Sequence, residues 1–263
     1  MSVDIEYEKM KAQWYNEEEG NRHLEDGINC DICKNKGNIA YVDEYGNQFV
    51  KPCECEKQRT TFIRLKNCGI SREMLERYTF SNYETQNEWQ KKVKNLFIEY
   101  GKSVANGEKN WLYYGGISGA GKTHLCVATF QKLIKSNMSG YYLLWNNEFP
   151  QILALEKSTL EENQYKYKEK IKTLTNVDVL YIDDFLKLTN NKFSNDNLSL
   201  AYKIINNRYI NNKITIISSE YLVSQLNEVD RAICGRINEK SAFGKFMFDC
   251  GEDERKNYRL GDN

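Results

Sequence analysis

The chain has 263 residues, with 37 Lys plus Arg against 37 Asp plus Glu, 40% hydrophobic and 28% charged. That length allows one medium domain with a small appendage, and the balanced charge excludes a chain that grips nucleic acid by bulk basicity, so any such surface must be local. No apolar run nears the ~20 residues needed to span a bilayer, and the acidic start "MSVDIEYEKMKAQWYNEEEG" lacks the apolar stretch of a secretory signal, so a cytoplasmic protein with no membrane partner is expected.

The segment before Cys30 carries irregularly spaced charges with Trp14 and Tyr15, which predicts a helix that docks on another surface. Four of the 8 cysteines then crowd together as Cys30, Cys33, Cys53 and Cys55, a C-x2-C pair followed by a C-x-C pair. Between them, "NIAYVDEYGNQFVKP" alternates like two strands about a "DEYGN" turn. A hairpin there brings both pairs together. Four thiolates around Zn²⁺ make a closed structural site with no position left for water, and Gly37 lets the chain turn back with N–H groups aimed at sulfur. A reversible dithiol is the other reading of such a pair. Cys68, Cys126, Cys234 and Cys250 are scattered and read as small apolar fillers.

Phe62, Ile63 and Leu65 followed by Gly69 predict a short helix with a glycine C-cap, and Ser71 opens another turn. The domains expected are a zinc-binding unit at 1–75 and a nucleotide unit at 76–263. In the latter, "WQKKVKNLFIEYGKSV" places Val93, Leu96, Phe97 and Tyr100 at helical spacing. The runs "WLYY" (111–114), "YYLLW" (141–145), "VDVLYI" (177–182), "ITIIS" (214–218) and "KFMFDC" (245–250) fit buried strands separated by helices. The expectation is an α/β fold, a P-loop NTPase with a five-stranded parallel sheet flanked by helices, preceded by the small zinc-binding unit.

Gly116, Ile117, Ser118, Gly119, Ala120, Gly121, Lys122 and Thr123 match G-x-x-x-x-G-K-[ST] without a gap, after a strand and before the helix "THLCVATFQKLI". Glycines let backbone amides turn inward around phosphate oxygens. Lys122 brings charge to the β- and γ-phosphates of ATP, Thr123 offers a hydroxyl to Mg²⁺, and the helix start that includes His124 adds its dipole. Asp183, at the end of a predicted strand, is the second Mg²⁺ contact, and Asp184 is the candidate base for the attacking water.

The cysteine cluster, "GISREMLERYTFSNYE", "GGISGAGKTHL", "VLYIDDF", "INNRYINNKITIISSEY" and "VDRAICGRINEK" occur in one order. Together they resemble the bacterial and phage replicative-helicase loaders of the DnaC/DnaI group, AAA+ ATPases close to the IstB transposition helpers. The resemblance implies ATPase activity, slow in an isolated subunit, with ATP, Mg²⁺ and Zn²⁺ bound. It further implies self-association through the ATPase domain, a hexameric replicative helicase as partner and contact with single-stranded DNA. It puts a nucleotide sensor at Ser219 or Glu220, where such proteins often carry Asn, and an arginine finger at Arg236, for which a solvated helix arginine is the plain alternative. Arg255 and Arg259 resemble a second sensor weakly. A transposition helper and an ATP-binding adaptor with incidental hydrolysis are the competing functions.

Overall fold

In the computed structural model, which describes residues 4–187 and 195–258, the chain divides between Leu65 and Lys66 into two compact units. The first opens with α1 (Ile5–Glu17), where the Asp4 carboxylate accepts the N–H groups of Glu6 and Tyr7, satisfying two orphan donors of the first turn. The single turn α2 (His23–Asp26) precedes the hairpin of β1 (Asn38–Val42) and β2 (Gln48–Pro52), paired antiparallel from Asn38–Pro52 to Val42–Gln48. Its turn is held by Asp43, which accepts from the amides of Tyr45 and Asn47. The predicted N-terminal helix docks on this hairpin, since the Asn16 amide both donates to and accepts from the Ala40 backbone at 2.8 and 2.9 Å. Helix α3 (Cys55–Asn67) leaves from the last clustered cysteine.

The second unit starts with α4 (Arg72–Arg77), capped by the Ser71 hydroxyl, and α5 (Glu88–Ala105), which buries Val93, Phe97, Tyr100 and Val104 on one stripe. There follow β3 (Leu112–Gly115), α6 (Lys122–Lys135), β4 (Gly140–Leu144), α7 (Trp145–Lys157), α8 (Glu161–Asn176) and β5 (Val179–Asp183). The chain continues through α9 (Asn195–Ile210), β6 (Ile214–Ser218), α10 (Val223–Val229), α11 (Arg231–Lys240), β7 (Met247–Asp249) and a 3₁₀ turn at Glu254–Lys256. The strands form one parallel sheet in the order β4-β5-β6-β3-β7. Alternation along β5 shows that both faces are covered. Tyr181 meets Phe130 of α6 at 6.2 Å, whereas Leu180 and Ile182 join the core that includes Leu200 and Ile204 of α9.

Two details differ from the sequence pattern or escape it. Trp145 begins α7 instead of ending β4, because its apolar ring is wanted in the core, stacked on Phe149 at 5.5 Å and edge-on to Phe185 at 5.2 Å. Arg208 is fully buried without a carboxylate. Its guanidinium donates to the carbonyls of Leu174 (2.8 Å) and Ile214 (2.5 Å) and to the Thr215 hydroxyl (3.1 Å), tying α8 and α9 to the start of β6. The carboxyl ends of β3, β5 and β6 lie side by side, the place where ligands of open α/β sheets bind.

Candidate functional site

The loop after β3 wraps around the N-terminus of α6. Gly119 and Gly121 have φ of +78° and +77°, and added Cβ atoms there would come within 1.8 Å of the Asn257 side chain and 2.9 Å of the Tyr83 ring. Both a left-handed backbone and close approach therefore demand glycine. Lys122 is the first residue of α6 and is buried, its ammonium donating to the carbonyls of Gly116 and Ile117, each at 2.7 Å. Burial lowers its pKa, while Glu220, Asp184 and Asp183 pull the other way. Among the described residues no carboxylate pairs with it. A buried cation at an open helix N-terminus is suited to an anion.

Asp183 ends β5, buried, where its carboxylate accepts from the hydroxyls of Thr123 (3.2 Å), Tyr142 (3.0 Å) and Ser218. Thr123 and Asp183, 60 positions apart in the chain, thus come together, and this hydroxyl and carboxylate could hold Mg²⁺. Asp184 follows in the left-handed region at φ +54°. Burial and then the neighbouring Asp183 raise its pKa, so it is more basic than an ordinary carboxylate.

These groups border a cavity of about 410 Å³, lined by Ser118, Gly119, Gly121, Lys122, Thr123, His124, Asp184, Lys187 and Glu220, and on the other side by Arg77, Tyr78, Asn82, Tyr83, Glu84 and Tyr258. The volume suits a small-molecule ligand. His124 sits between Tyr78 at 5.1 Å and Tyr83 at 5.2 Å, with Nε2 2.7 Å from the Thr79 carbonyl, and burial lowers its pKa. The Tyr83 hydroxyl is buried and finds no hydrogen-bond partner among the described residues. Sequence reasoning missed Tyr78 and Tyr83. Their only signal was the aromatic, polar run "RYTFSNYE", whose register against a loop some 40 residues away only folding sets.

Other expected residues lie elsewhere. Ser219 does not line the cavity: it is buried, its hydroxyl donates to the Phe185 carbonyl at 2.9 Å, and Glu220 takes the facing position. Arg236 is on α11, half-exposed and away from the cavity. It donates to Asn206 and to the Tyr202 hydroxyl, each at 3.0 Å, and lies 4.9 Å over the Tyr202 ring. Arg255 pairs with Asp253 at 2.8 Å in solvent, and Arg259 is outside the described residues.

In the first unit the sulfurs of Cys30, Cys33, Cys53 and Cys55 all lie within 4.8 Å of one another, with 3.8 Å between Cys30 and Cys53 and 3.6 Å between Cys33 and Cys55. A tetrahedron with Zn–S bonds of ~2.3 Å has edges of ~3.8 Å, so this donor set fits Zn²⁺. The short C-x-C spacing works because β2 ends at Pro52 and α3 starts at Cys55, with the chain turning between them. Gly37 N–H donates to the Cys33 sulfur at 3.2 Å. The amide of Cys33 draws the Cys30 thiol down to about 7, whereas burial pushes Cys55 up to about 12. Binding Zn²⁺ to these thiols would release their protons, so its affinity would rise with pH. Asp26 and Arg59, 33 positions apart and unmarked by any motif, form a buried pair in which Arg59 Nη1 donates to both carboxylate oxygens at 2.7 and 2.6 Å, and Arg59 Nε also donates to the Cys55 sulfur at 3.4 Å. The remaining cysteines, 68, 126, 234 and 250, are buried as expected.

A parallel five-stranded sheet with a phosphate loop after β3, an acidic strand end at β5 and a ligand-sized cavity above defines a P-loop nucleotide-binding protein. More particularly, residues 55–231 match the model of the IstB-like ATP binding protein family, and the chain belongs to that family. Among proteins from Bacillus subtilis strain 168, it is 26% identical over 228 residues to the protein YqaM, covering 84% of this chain and 70% of that one. It is 29% identical over 219 residues to the phage-like element PBSX protein XkdC, covering 80% and 78%. Among solved structures, the fold is similar to DnaI (TM-score 0.51, 22% identity, 70% of this chain and 91% of that one) and to the DnaC helicase loader (0.53, 22%, 70% and 100%). AMPPCP-bound DnaA from Aquifex aeolicus has the same fold over 70% of this chain and 52% of its own (0.53, 18%). No helix among the described residues is long and apolar enough to cross a membrane.

Proposed function

We propose that this chain is an ATP-dependent loader that places a hexameric replicative helicase on single-stranded DNA in the cytoplasm, with ATP binding and hydrolysis acting as an assembly switch. The observation that carries the reading is the joining of two devices in one chain, a cradle with Thr123 on Asp183 and a separate four-cysteine unit. Solved neighbours support it: one is described as the DnaC helicase loader, another as DnaA bound to AMPPCP and single-stranded DNA.

In this scheme the amides from Gly116 to Thr123 and the Lys122 ammonium hold the phosphates, and Tyr78, His124 and Tyr83 receive the base. Thr123 and Asp183 would hold Mg²⁺, which when bound offsets charge on the phosphate oxygens. Asp184, whose pKa burial raises, accepts the proton of the attacking water. Arg236 is offered to the nucleotide of a neighbouring copy. Its guanidinium is already oriented by Asn206 and Tyr202, so little freedom is lost on docking. Zn²⁺ would keep the N-terminal unit folded, and that unit grips the helicase.

The test is co-purification with a replicative helicase in ATP or ADP, using zinc-stripped protein as the control. Retention should need the zinc unit and change with the nucleotide. Retention indifferent to both removes the basis of the proposal. The family match itself favours a second reading, a transposition helper. Nucleotide-dependent assembly on duplex DNA with capture of a transposase, and no helicase binding, would select it. An adaptor with incidental hydrolysis would keep its partner activity when turnover is abolished.

A further inference from the structure

The carboxylate at the end of β6 poses an electrostatic problem. Glu220 lines the cavity together with Asp184, and both lie near Lys122. A triphosphate entering there meets the negative groups Asp183, Asp184 and Glu220. Besides Lys122, the cation that stands among them in the described residues is Lys187. The Lys187 ammonium is 2.8 Å from Glu220 and 3.5 Å from Asp184.

The backbone fixes that arrangement. Asp184 and Leu186 both adopt left-handed conformations, φ +54° and +62°, although neither is glycine and Leu186 is fully buried. Such conformations are costly for residues other than glycine and persist only where the surroundings over-determine them. Here Phe185 N–H donates to the Ser218 carbonyl at 2.8 Å, the Ser219 hydroxyl donates to the Phe185 carbonyl at 2.9 Å, and Lys187 N–H closes onto the Asp184 carbonyl at 2.9 Å. The segment after β5 is thereby clipped to the end of β6, and Lys187 is delivered to Glu220. Ser219 acts in the clip and not at the ligand.

We propose that Lys187 is a positioning residue that neutralises and holds Glu220, so that the pair presents no net charge to the terminal phosphate of a bound triphosphate. The proposal rests on the nucleotide-site reading and needs neither helicase nor DNA. Without Lys187 the Glu220 charge faces the γ-phosphate unopposed, so ATP suffers more than ADP. Without Glu220 as well, the penalty disappears.

Titrations of Mg·ATP and Mg·ADP into the wild-type chain, Lys187→Met, Glu220→Gln and the double variant test this, with circular dichroism to verify folding. Lys187→Met should weaken ATP binding at least tenfold, the lower bound for one uncompensated charge within ~12 Å at an effective dielectric near ~20, and ADP binding severalfold less, because its phosphates end farther from Glu220. Glu220→Gln should bind ATP at least as well as wild type, and the double variant should return to within about threefold of it. Equal losses for ATP and ADP, or additive losses in the double variant, overturn the proposal while leaving the nucleotide site standing. Binding of neither nucleotide by the wild type, or undiminished binding by Lys122→Ala, overturns the site reading and the proposal with it.

Discussion

Replacing Arg59 by Leu probes the four-cysteine unit without touching a sulfur. The Arg59 side chain is 0% exposed and its partner Asp26 3% exposed. Its guanidinium also donates to the Ile28 carbonyl at 2.8 Å. Leucine removes the charge but keeps an apolar body, so packing changes little. What remains is a buried Asp26 carboxylate holding one bond, from Ile28 N–H at 2.9 Å. Breaking one side of a buried pair destabilises by 3–5 kcal/mol, and in a unit this small the low end applies, about 3 kcal/mol. The Cys55 sulfur loses a cationic neighbour as well, so metal affinity should fall with stability. The assay is chelator competition on purified protein with a colorimetric zinc readout, alongside limited proteolysis of the N-terminal unit. Both should show earlier release than wild type. Asp26→Leu combined with Arg59→Leu should recover most of the loss, since no charge is then left alone. The pair also sets a pH dependence. Bonds from Ile28 N–H and Arg59 hold the Asp26 pKa below its ordinary value against the opposing effect of burial. Its contribution is therefore complete above the unfolded value near ~4 and is lost as pH falls through the lower folded value. Wild-type protein should shed this stability in acid and Arg59→Leu should not. A single variant that retains zinc like wild type, or a double variant that is worse by the sum of its parts, would refute the argument.

Tyr83→Phe should leave stability unchanged, because the hydroxyl it removes has no protein partner among the described residues, yet nucleotide affinity should drop about fivefold, as for one lost hydrogen bond; calorimetry with ATP checks both. Asp184→Asn should retain ATP binding while hydrolysis falls by about 10²-fold or more, read as a bound triphosphate that survives incubation. Arg236→Ala should leave binding by dilute subunits intact and slow turnover of the assembled protein by about 10³-fold. Mixing it with Lys122→Ala subunits should restore activity at roughly one interface in four, since the finger of one copy serves the cradle of the next. No recovery on mixing would place Arg236 outside the chemistry.

What could be read from the chain follows the range of the interactions. The cradle is local, because consecutive amides must come from consecutive residues, and its glycines announce it. Strands β3, β5 and β6 are buried on both faces, so unbroken apolar runs reveal them. The strand end at Leu144 was less legible. The apolar run continues into Trp145, while the stop comes from Glu148, whose carboxylate accepts Leu144 N–H at 3.3 Å and begins a helix. At the end of β6 the ambiguity between Ser219 and Glu220 is one of parity: neighbouring side chains point to opposite sides, and a shift of one position exchanges core for cavity. The pairs Asp26–Arg59 and Lys187–Glu220 each span 33 positions and are common residue types with no fixed spacing, so only the fold marks them.

The same geometry bears on whether the nucleotide drives continuous work or reports a state. Lys122 is committed to two loop carbonyls, Lys187 to Glu220 and Asp184, and Arg236 to Asn206 and Tyr202. Phosphates entering the cradle can take Lys122 from neutral carbonyls at small cost, because those dipoles are weaker partners than an anion. Taking Lys187 from two carboxylates is far less favourable, and Arg236 is not at the cavity at all. Under this proposal a lone subunit binds a triphosphate and has a base to activate water, while Lys122 and Lys187 are already engaged and neither is the cation that answers the charge developing on transfer. In the proposed scheme that cation arrives only with another copy, so bound ATP outlasts the free subunit and its loss marks the completed assembly.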